Sequence, residues 1–455
     1  MLITFKICNF LSFNEDVEFS MRASNVRELG SHFIKGKSRS EVNILKSAVI
    51  YGANASGKSN FIKAVGFAKD LILKGTSTIG GENKYFRLDN NNKNKSTKFE
   101  FEFKYNGKMY AYGIELSLKE QKIKEEWLFQ LLKTTDKPIF ERKVLANGKS
   151  DINIALKFDT ETQNRFEVYK KDIKDTQLFL SEINDKNFDD IDNIKPFKNA
   201  FDWFQNNLMV IFPDSKPEFL SAIIDNEEVK PSFCNLLEIF GTDIKNIQTI
   251  EKDLDKQFPT QLKDDFLKHL KDNNVFEIEL GNGKNTLRFF KNKNEELKMI
   301  EFNTQHTLNN SKETIDFEIE EESDGTQRLI ELIPVLISSA QNRVTYLVDE
   351  IDRSLHPELT KKILQTFFFN TENIESQLIV STHESSLLDL SLLRRDEIWF
   401  VEKDKNGASQ MYSLEQFKPR FDKEIRKDYL QGRFGGIPFI TDVENLGWLK
   451  NIQNS

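Results

Sequence analysis

Cysteine is almost missing from this chain: Cys8 and Cys234 are the only two in 455 residues. No disulfide framework and no cysteine-based zinc pattern can be built from them, which points to a reducing cytoplasm. The five histidines are scattered without metal-ligand spacing, so no zinc site is expected. No apolar run is long enough to cross a membrane. Met1 to Phe19 lacks the basic start and continuous apolar core of a secretory signal. A basic excess is missing too. The net charge of −8 excludes a surface built as a whole to hold a polyanion and leaves only local basic patches. There is no internal repeat, and no heptad run long enough for a coiled-coil arm. What is present is a globular composition, 38% hydrophobic. A chain of this length exceeds the ~250–300 residues at which a single core stops growing, so two lobes are expected.

The most informative stretch is residues 45–74. Ala48-Val49-Ile50-Tyr51 reads as a buried parallel strand. Gly52-Ala53-Asn54-Ala55-Ser56-Gly57-Lys58-Ser59 matches a phosphate-binding loop at every fixed position. A helix follows, with Phe61, Ala64, Val65, Ala68 and Leu71 on one face and Gly75 at its stop. Two glycines let backbone N–H groups turn toward a phosphate, and the helix adds the positive end of its dipole. Lys58 supplies charge for the β and γ phosphates, and the Ser59 hydroxyl can ligate Mg²⁺. Gly52, Asn54, Ala55, Ser56, Gly57, Lys58, Ser59 and Asn60 are the expected nucleotide contacts.

The complementary residues lie far downstream. Residues 343–348 form an apolar strand ending in Asp349-Glu350. In a Mg-nucleotide site Asp349 would hold the metal, and Glu350 would orient and deprotonate the attacking water. Residues 376–380 form another buried strand, which leads into Ser381-Thr382-His383 and so presents His383 to a γ-phosphate. Before these, Ser323-Asp324-Gly325-Thr326-Gln327-Arg328 opens a helix that Pro334 should kink, with Ser323 as its cap. Ile351 to Pro357 reads as a turn, followed by a helix over 358–369.

Along the chain, strands are expected at 2–10 and 16–21. A hairpin follows at 98–105 and 108–116 around Asn106-Gly107, with strand-like pieces to 143. From 160 to 269 the character changes to helical runs at 194–209 and 230–240, broken by Pro213, Pro217 and Pro231. Strands return at 275–280 and 286–290 around Gly281-Asn282-Gly283, and the tail reads as 398–401, 411–414 and 429–440. The expected division is residues 1–159 for the first part of an ATPase head, 160–270 for a mostly helical insertion that sets partner or trigger specificity, and 271–455 for the second part. After His383 about 70 residues remain, too few for an appended nuclease domain of usual size. Glu402 and Asp404 fit a charged strand end better than a metal-binding pair. The lysine-rich runs at 119–124 and 291–298 are the candidate nucleic-acid contacts.

The five motifs, in this order, resemble the α/β, ABC-type P-loop ATPase head of the SMC and RecF proteins. The resemblance implies ATP and Mg²⁺ as ligands, with Lys58 and Ser59 in Walker A and Asp349 and Glu350 in Walker B. It places Ser323, Gly325 and Thr326 in the signature, which reads ESDGTQ rather than LSGGQ. Asp352 and Ser354 fall in the D-loop, and His383 becomes the switch histidine. It leaves the glutamine loop unplaced. The opening ICNFLSF, with YGANASGKSN, ESDGTQRL, DEIDRSLHP, STHESSLLD and YLQGRFGGIP, resembles the RloA and AbiL type of prokaryotic ATPase, with the PARIS and Septu ATPases as relatives. The ABC-type resemblance implies an ATP-dependent homodimer or assembly of dimers, joined head to tail, and the RloA and AbiL likeness implies a prokaryotic defence ATPase. It also implies a separate effector such as RloB and a part in abortive infection. The alternative is a RecF-like ATPase that binds DNA in repair or recombination.

Overall fold

This computed structural model describes residues 1–36, 41–76, 80–145, 147–186, 191–214, 223–224, 226–253, 275–280, 285–291, 297–308, 311–372, 374–420 and 424–436. The chain forms two compact units. The first comprises Met1–Ile211, Arg343–Ile351 and Glu375–Ser455, and the second Phe212–Asn342 and Asp352–Ile374.

In the first unit the chain runs through β1 (Leu2–Cys8), β2 (Val17–Ser20), β3 (Phe33–Ile34), β4 (Ile44–Leu45), β5 (Ser47–Tyr51) and α1 (Lys58–Lys74). It continues through β6 (Thr97–Tyr105), β7 (Lys108–Ser117), β8 (Lys122–Leu131), β9 (Lys137–Val144) and β10 (Ser150–Ile154). Then come α2 (Thr160–Asp172), α3 (Phe179–Asn184), α4 (Lys195–Asp202) and β11 (Leu208–Ile211). In the second unit lie α5 (Lys230–Ile239), β12 (Ile244–Asp253), β13 (Val275–Leu280), β14 (Asn285–Lys291), β15 (Leu297–Thr307), β16 (Thr314–Glu318) and α6 (Asp324–Gln341). The chain then returns to the first unit for β17 (Thr345–Val348), to the second for α7 (Pro357–Asn370), and to the first for β18 (Gln377–Ser381), β19 (Ile398–Lys403), β20 (Ser409–Ser413) and α8 (Ile425–Leu430).

The first unit has two main sheets. A seven-stranded antiparallel sheet has the order β10-β9-β8-β7-β6-β1-β2. Its β6–β7 hairpin turns through Asn106 and Gly107 at φ 48° and 73°, the pair of positive angles that a two-residue type I′ turn requires. A six-stranded sheet has the order β11-β17-β18-β5-β19-β20, parallel except for β20. β5, β17 and β18 are buried along their whole length, as strands covered on both faces must be. α1 is apolar on more than one side, burying Phe61, Ile62, Val65, Phe67 and Leu71. Phe61 meets Phe5 of the antiparallel sheet edge-on at 5.7 Å, and Phe67 lies 4.9 Å from Phe10. All the parallel strands end on one edge, where α/β sheets place their ligands.

The second unit carries a sheet of order β12-β15-β14-β13, with β16 added on β15, and α6 packs on α5 and α7. α6 runs on through Pro334 to Gln341.

The expected mostly helical insertion over 160–270 does not hold as one body. Residues up to Ile211 belong to the first unit, those from Phe212 to the second. The run read as one helix over 194–209 is α4, then a π-turn at Trp203–Asn207, then β11 in the central sheet. A four-residue apolar strand cannot be told from a helix end by periodicity alone. Residues 429–436 are the end of α8 and a glycine turn, not a strand. Residues 281–283 and 437–440 lie outside the described residues.

Candidate functional site

The phosphate loop leaves β5 and enters α1 in the first unit. Gly52 must be glycine, because a Cβ there would sit 2.4 Å from the Val401 carbonyl oxygen of β19 and 2.5 Å from Ser56 Oγ. Gly57 has φ 121°, and a Cβ would lie 2.2 Å from Ser409 Oγ of β20. Ala55 also takes a left-handed angle, φ 63°. Asn54 and Ala55 are exposed at the tip, while Ser56, Gly57 and Lys58 are buried.

Lys58 is only 4% exposed. Its ammonium donates to the carbonyls of Gly52 at 2.8 Å and Ala53 at 3.1 Å, and lies 3.4 Å from His383 Nδ1. An ammonium can only donate, so that ring nitrogen faces it as an acceptor. Ser59 Oγ, in the first turn of α1, donates to Asp349 Oδ1 at 3.2 Å.

Asp349 and Glu350 follow β17, beside β18. Asp349 is buried, and its N–H donates to the Ile211 carbonyl at the end of β11. Ser381 Oγ at the end of β18 donates to Asp349 Oδ1 and accepts from the Glu350 N–H at 2.8 Å. The Ile351 N–H reaches the Ser381 carbonyl at 3.1 Å. Glu350 is held at φ 49°, a left-handed angle that a side chain of its size rarely adopts and that costs on the order of 1–3 kcal/mol. That angle persists because the hydrogen bonds on both sides fix it. Lys58 and Ser59 thus meet Asp349, Glu350 and His383, which lie hundreds of residues downstream, at the ends of β5, β17 and β18.

The residues fit Mg²⁺ and a polyphosphate. Ser59 and Asp349 bring a hydroxyl and a carboxylate together, the hard oxygen donors that Mg²⁺ prefers. Ser56 Oγ is buried without a hydrogen-bond partner beside the loop, and Lys58 places a buried cation next to backbone that only glycine allows.

Ser12 and Ser409 are functional neighbours that the sequence reading missed. Asn60 Nδ2 donates to Ser12 Oγ at 2.9 Å, Ser409 Oγ lies 2.8 Å from Ser12 Oγ and 2.6 Å from the Ser56 carbonyl, and the Ser409 N–H donates to the Ser12 carbonyl. Ser12 lies in the ICNFLSF segment and Ser381 opens STHESSLLD, both usable signals; nothing local marks Ser409.

In the second unit, Ser323 caps α6, its Oγ accepting from the Thr326 N–H at 3.2 Å and lying 2.9 Å from Thr326 Oγ1. Both are exposed or half-buried. A Cβ on Gly325 would come within 2.9 Å of the Ser354 carbonyl, so the helix start and the turn after Asp352 lie against each other. Ser354 has φ 59°. Glu322, just before the cap, accepts from Thr304 and lies 2.7 Å from His306 Nε2. The residues leaving β11 are Phe212, Pro213 and Asp214, with no glutamine among them, and Arg353 donates to the Pro213 carbonyl and pairs with Asp214.

The rival features at 402–404 and 119–124 have local partners, and of the run at 291–298 residues 292–296 lie outside the described residues. Asp404 accepts from the N–H groups of Asn406 and Ala408 in the β19–β20 turn, and Glu402 accepts from Gly436 N. Lys122 and Lys124 pair with Asp175 and Glu120, and Lys119 donates to Asn94. Among the described residues there is no helix long and apolar enough to cross a membrane, and no cluster of His, Cys, Asp and Glu that could hold a metal.

No curated protein matches the chain. Similar solved structures include an SMC head domain from Thermotoga maritima, 13% identical with a TM-score of 0.36, covering 90% of this chain and 98% of that one. An SMC head bound to the C-terminal winged-helix domain of ScpA is 15% identical with a TM-score of 0.39, covering 91% and 99%. An SMC head with an extended coiled coil, bound to the C-terminal domain of ScpA derived from Pyrococcus furiosus, is 15% identical with a TM-score of 0.35, covering 92% and 97%. A family model described as "AAA domain, putative AbiEii toxin, Type IV TA system" matches residues 47–389, from the phosphate loop past His383. That match spans well over half of the sequence, and the chain belongs to this AAA-domain family, with the α/β fold of an ABC-type P-loop ATPase head.

Proposed function

We propose that this protein binds Mg-ATP at the phosphate loop and hydrolyses it to ADP and phosphate. The observation that carries the reading is the convergence of Lys58, Ser59, Asp349, Glu350 and His383 on one sheet edge. Lys58 would hold the β and γ phosphates, and the loop's N–H groups the β phosphate. Ser59 and Asp349 would hold Mg²⁺, which when bound neutralises charge on the phosphate oxygens. Glu350 takes the proton from the attacking water, and His383 contacts the γ-phosphate. Ser381 ties the Asp349 carboxylate and the Glu350 backbone N–H to one hydroxyl and so keeps the two residues in register.

The signature in the second unit serves a partner's nucleotide. Ser323, Gly325 and Thr326 open a helix whose positive end has no phosphate loop of its own, and Asp352 and Ser354 flank it. Two copies would close head to tail around ATP, and hydrolysis would release them. The output is control of a separate effector in anti-phage defence. The support is the resemblance of six sequence segments to the RloA and AbiL type, together with a family description that names a putative AbiEii toxin of a type IV TA system. The RecF-like alternative draws little support from the lysines at 119–124, which are engaged with neighbours in the same unit.

The test is the native mass of Glu350→Gln with and without Mg-ATP. A doubling on ATP that Ser323→Arg abolishes supports the head-to-tail site. A monomer under both conditions overturns the trans-acting signature.

A further inference from the structure

The glycine-rich tail segment has no place in the reading so far, yet it ends against the phosphate loop. After α8 the chain makes a turn in which Gly432, Gly435 and Gly436 all have positive φ, 76°, 69° and 67°. Three side-chain contacts hold its backbone. Tyr412 OH donates to the Phe434 carbonyl at 2.7 Å, Tyr429 OH donates to the Gly436 carbonyl at 3.1 Å, and the Gly436 N–H donates to Glu402 Oε2 at 3.2 Å. Phe434 stacks on Phe400 of β19.

The fastening point matters. Glu402 follows Val401, whose carbonyl presses on Gly52. A Cβ on Gly436 would lie 3.7 Å from Gly52 Cα, so the turn passes beside the first residue of the loop with room for about one methyl group between them. Tyr51, the residue before Gly52, has its ring 6.1 Å from that of Tyr429. At Gly435 φ is 69°, which strains any side chain, and a Cβ would fall 2.3 Å from both Glu402 Oε2 and Tyr412 OH, which would have to move away from the turn. Ser12 and Ser409 brace the Gly57 end of the loop, and this turn braces the Gly52 end.

We propose that the Gly435–Gly436 turn, fastened through Glu402, is a positioning element of the phosphate loop that sets the affinity for the triphosphate. The proposal rests on the nucleotide-site reading above. Its physical basis is preorganisation. Backbone N–H groups bind phosphate well only if they are held in place to within about 0.5 Å, and a loop that must order on binding loses affinity by that cost.

The experiment uses the full chain and four variants: Gly435→Ala, Glu402→Ala, Glu402→Gln and Lys58→Ala. It measures the Kd for Mg-ATP by calorimetry, KM and kcat for hydrolysis, and the Tm without nucleotide. Gly435→Ala and Glu402→Ala should raise Kd and KM about five- to tenfold, the effect of losing one buried hydrogen bond and its geometry. The kcat at saturation should stay near wild type in both; the nucleotide-free Tm should hold in Glu402→Ala and fall modestly in Gly435→Ala, whose φ of 69° strains any Cβ. Glu402→Gln, whose amide oxygen still accepts from the Gly436 N–H, should restore binding. An unchanged Kd in Gly435→Ala overturns the proposal. So does a Kd loss in Glu402→Ala that follows a matching fall in its nucleotide-free Tm, or one that Glu402→Gln shares in full. Wild-type Mg-ATP binding by Lys58→Ala would instead sink the phosphate-loop reading itself, and the positioning role with it.

Discussion

The two units present their candidate functional groups in opposite ways. In the first, every group of the phosphate site is tied down from behind: Lys58 by two carbonyls, Asp349 and Glu350 by Ser381, Gly57 by the packing of Ser12 and Ser409. In the second, Ser323 and Thr326 lie at a helix start and engage each other, with Gly325 seated on the Ser354 carbonyl. A site fixed by buried hydrogen bonds is preorganised before its ligand arrives. A helix start dressed only with its own cap is prepared for an anion supplied from elsewhere. Loss of a first-unit residue should therefore change what one copy does alone, and loss of a second-unit residue only what two copies do together.

The largest expected effect is on the chemistry. Glu350→Gln keeps the shape and removes the base, and steady-state hydrolysis should fall about 10²–10⁴-fold with ATP still bound. Wild-type turnover would remove Glu350 from the role of base. Next, Lys58→Ala deletes charge-assisted hydrogen bonds worth about 1.5–3 kcal/mol each, so Kd for Mg-ATP should rise tenfold or more. If Ser323→Arg raises that same monomer Kd as far, the contrast between the units collapses. Ser381→Ala touches no nucleotide atom but removes a hydrogen bond to the Asp349 carboxylate and the acceptor of the Glu350 N–H. A loss of about 10–100-fold in apparent Mg²⁺ affinity or activity is expected, read from a Mg²⁺ titration of hydrolysis.

Gly325→Ala is subtler. Its methyl would press on the Ser354 carbonyl, so ATP-driven association should weaken several-fold while monomer ATP affinity holds. An effect on Kd rather than association would place Gly325 with the first unit's chemistry. The smallest effect concerns Cys8, outside both sites. Burial pushes its thiol up to about 11. Its reactive thiolate is therefore scarce at neutral pH and increases only as pH rises toward that value. Iodoacetamide at pH 7.5 should label Cys8 slowly and leave ATPase activity unchanged, and rapid labelling would contradict its burial.

Much of the first unit was legible because its signals are local. The phosphate loop, the Asn106-Gly107 hairpin and the all-buried strands before Lys58 and Asp349 each follow from residue type and period within one short window. The strand-end histidine was placed the same way. β11 was not legible. Its four apolar residues continue a helical run without a break, and only pairing with β17 makes them a strand. Nor was the tail turn. Residues 429–436 carry aromatics that suit a strand, but three glycines with positive φ fold them back on the loop.

The amino-acid sequence by itself determined which groups could hold a nucleotide, because that chemistry depends on residue types at fixed spacing: two glycines, a lysine and a serine on one turn, an acidic pair after a buried strand. Only the tertiary structure decided how they are held. Ser381 bridging Asp349 and Glu350, Ser12 and Ser409 against Gly57, and Gly436 beside Gly52 join segments far apart in the chain. Such contacts come from strand order and close packing, which no local pattern encodes.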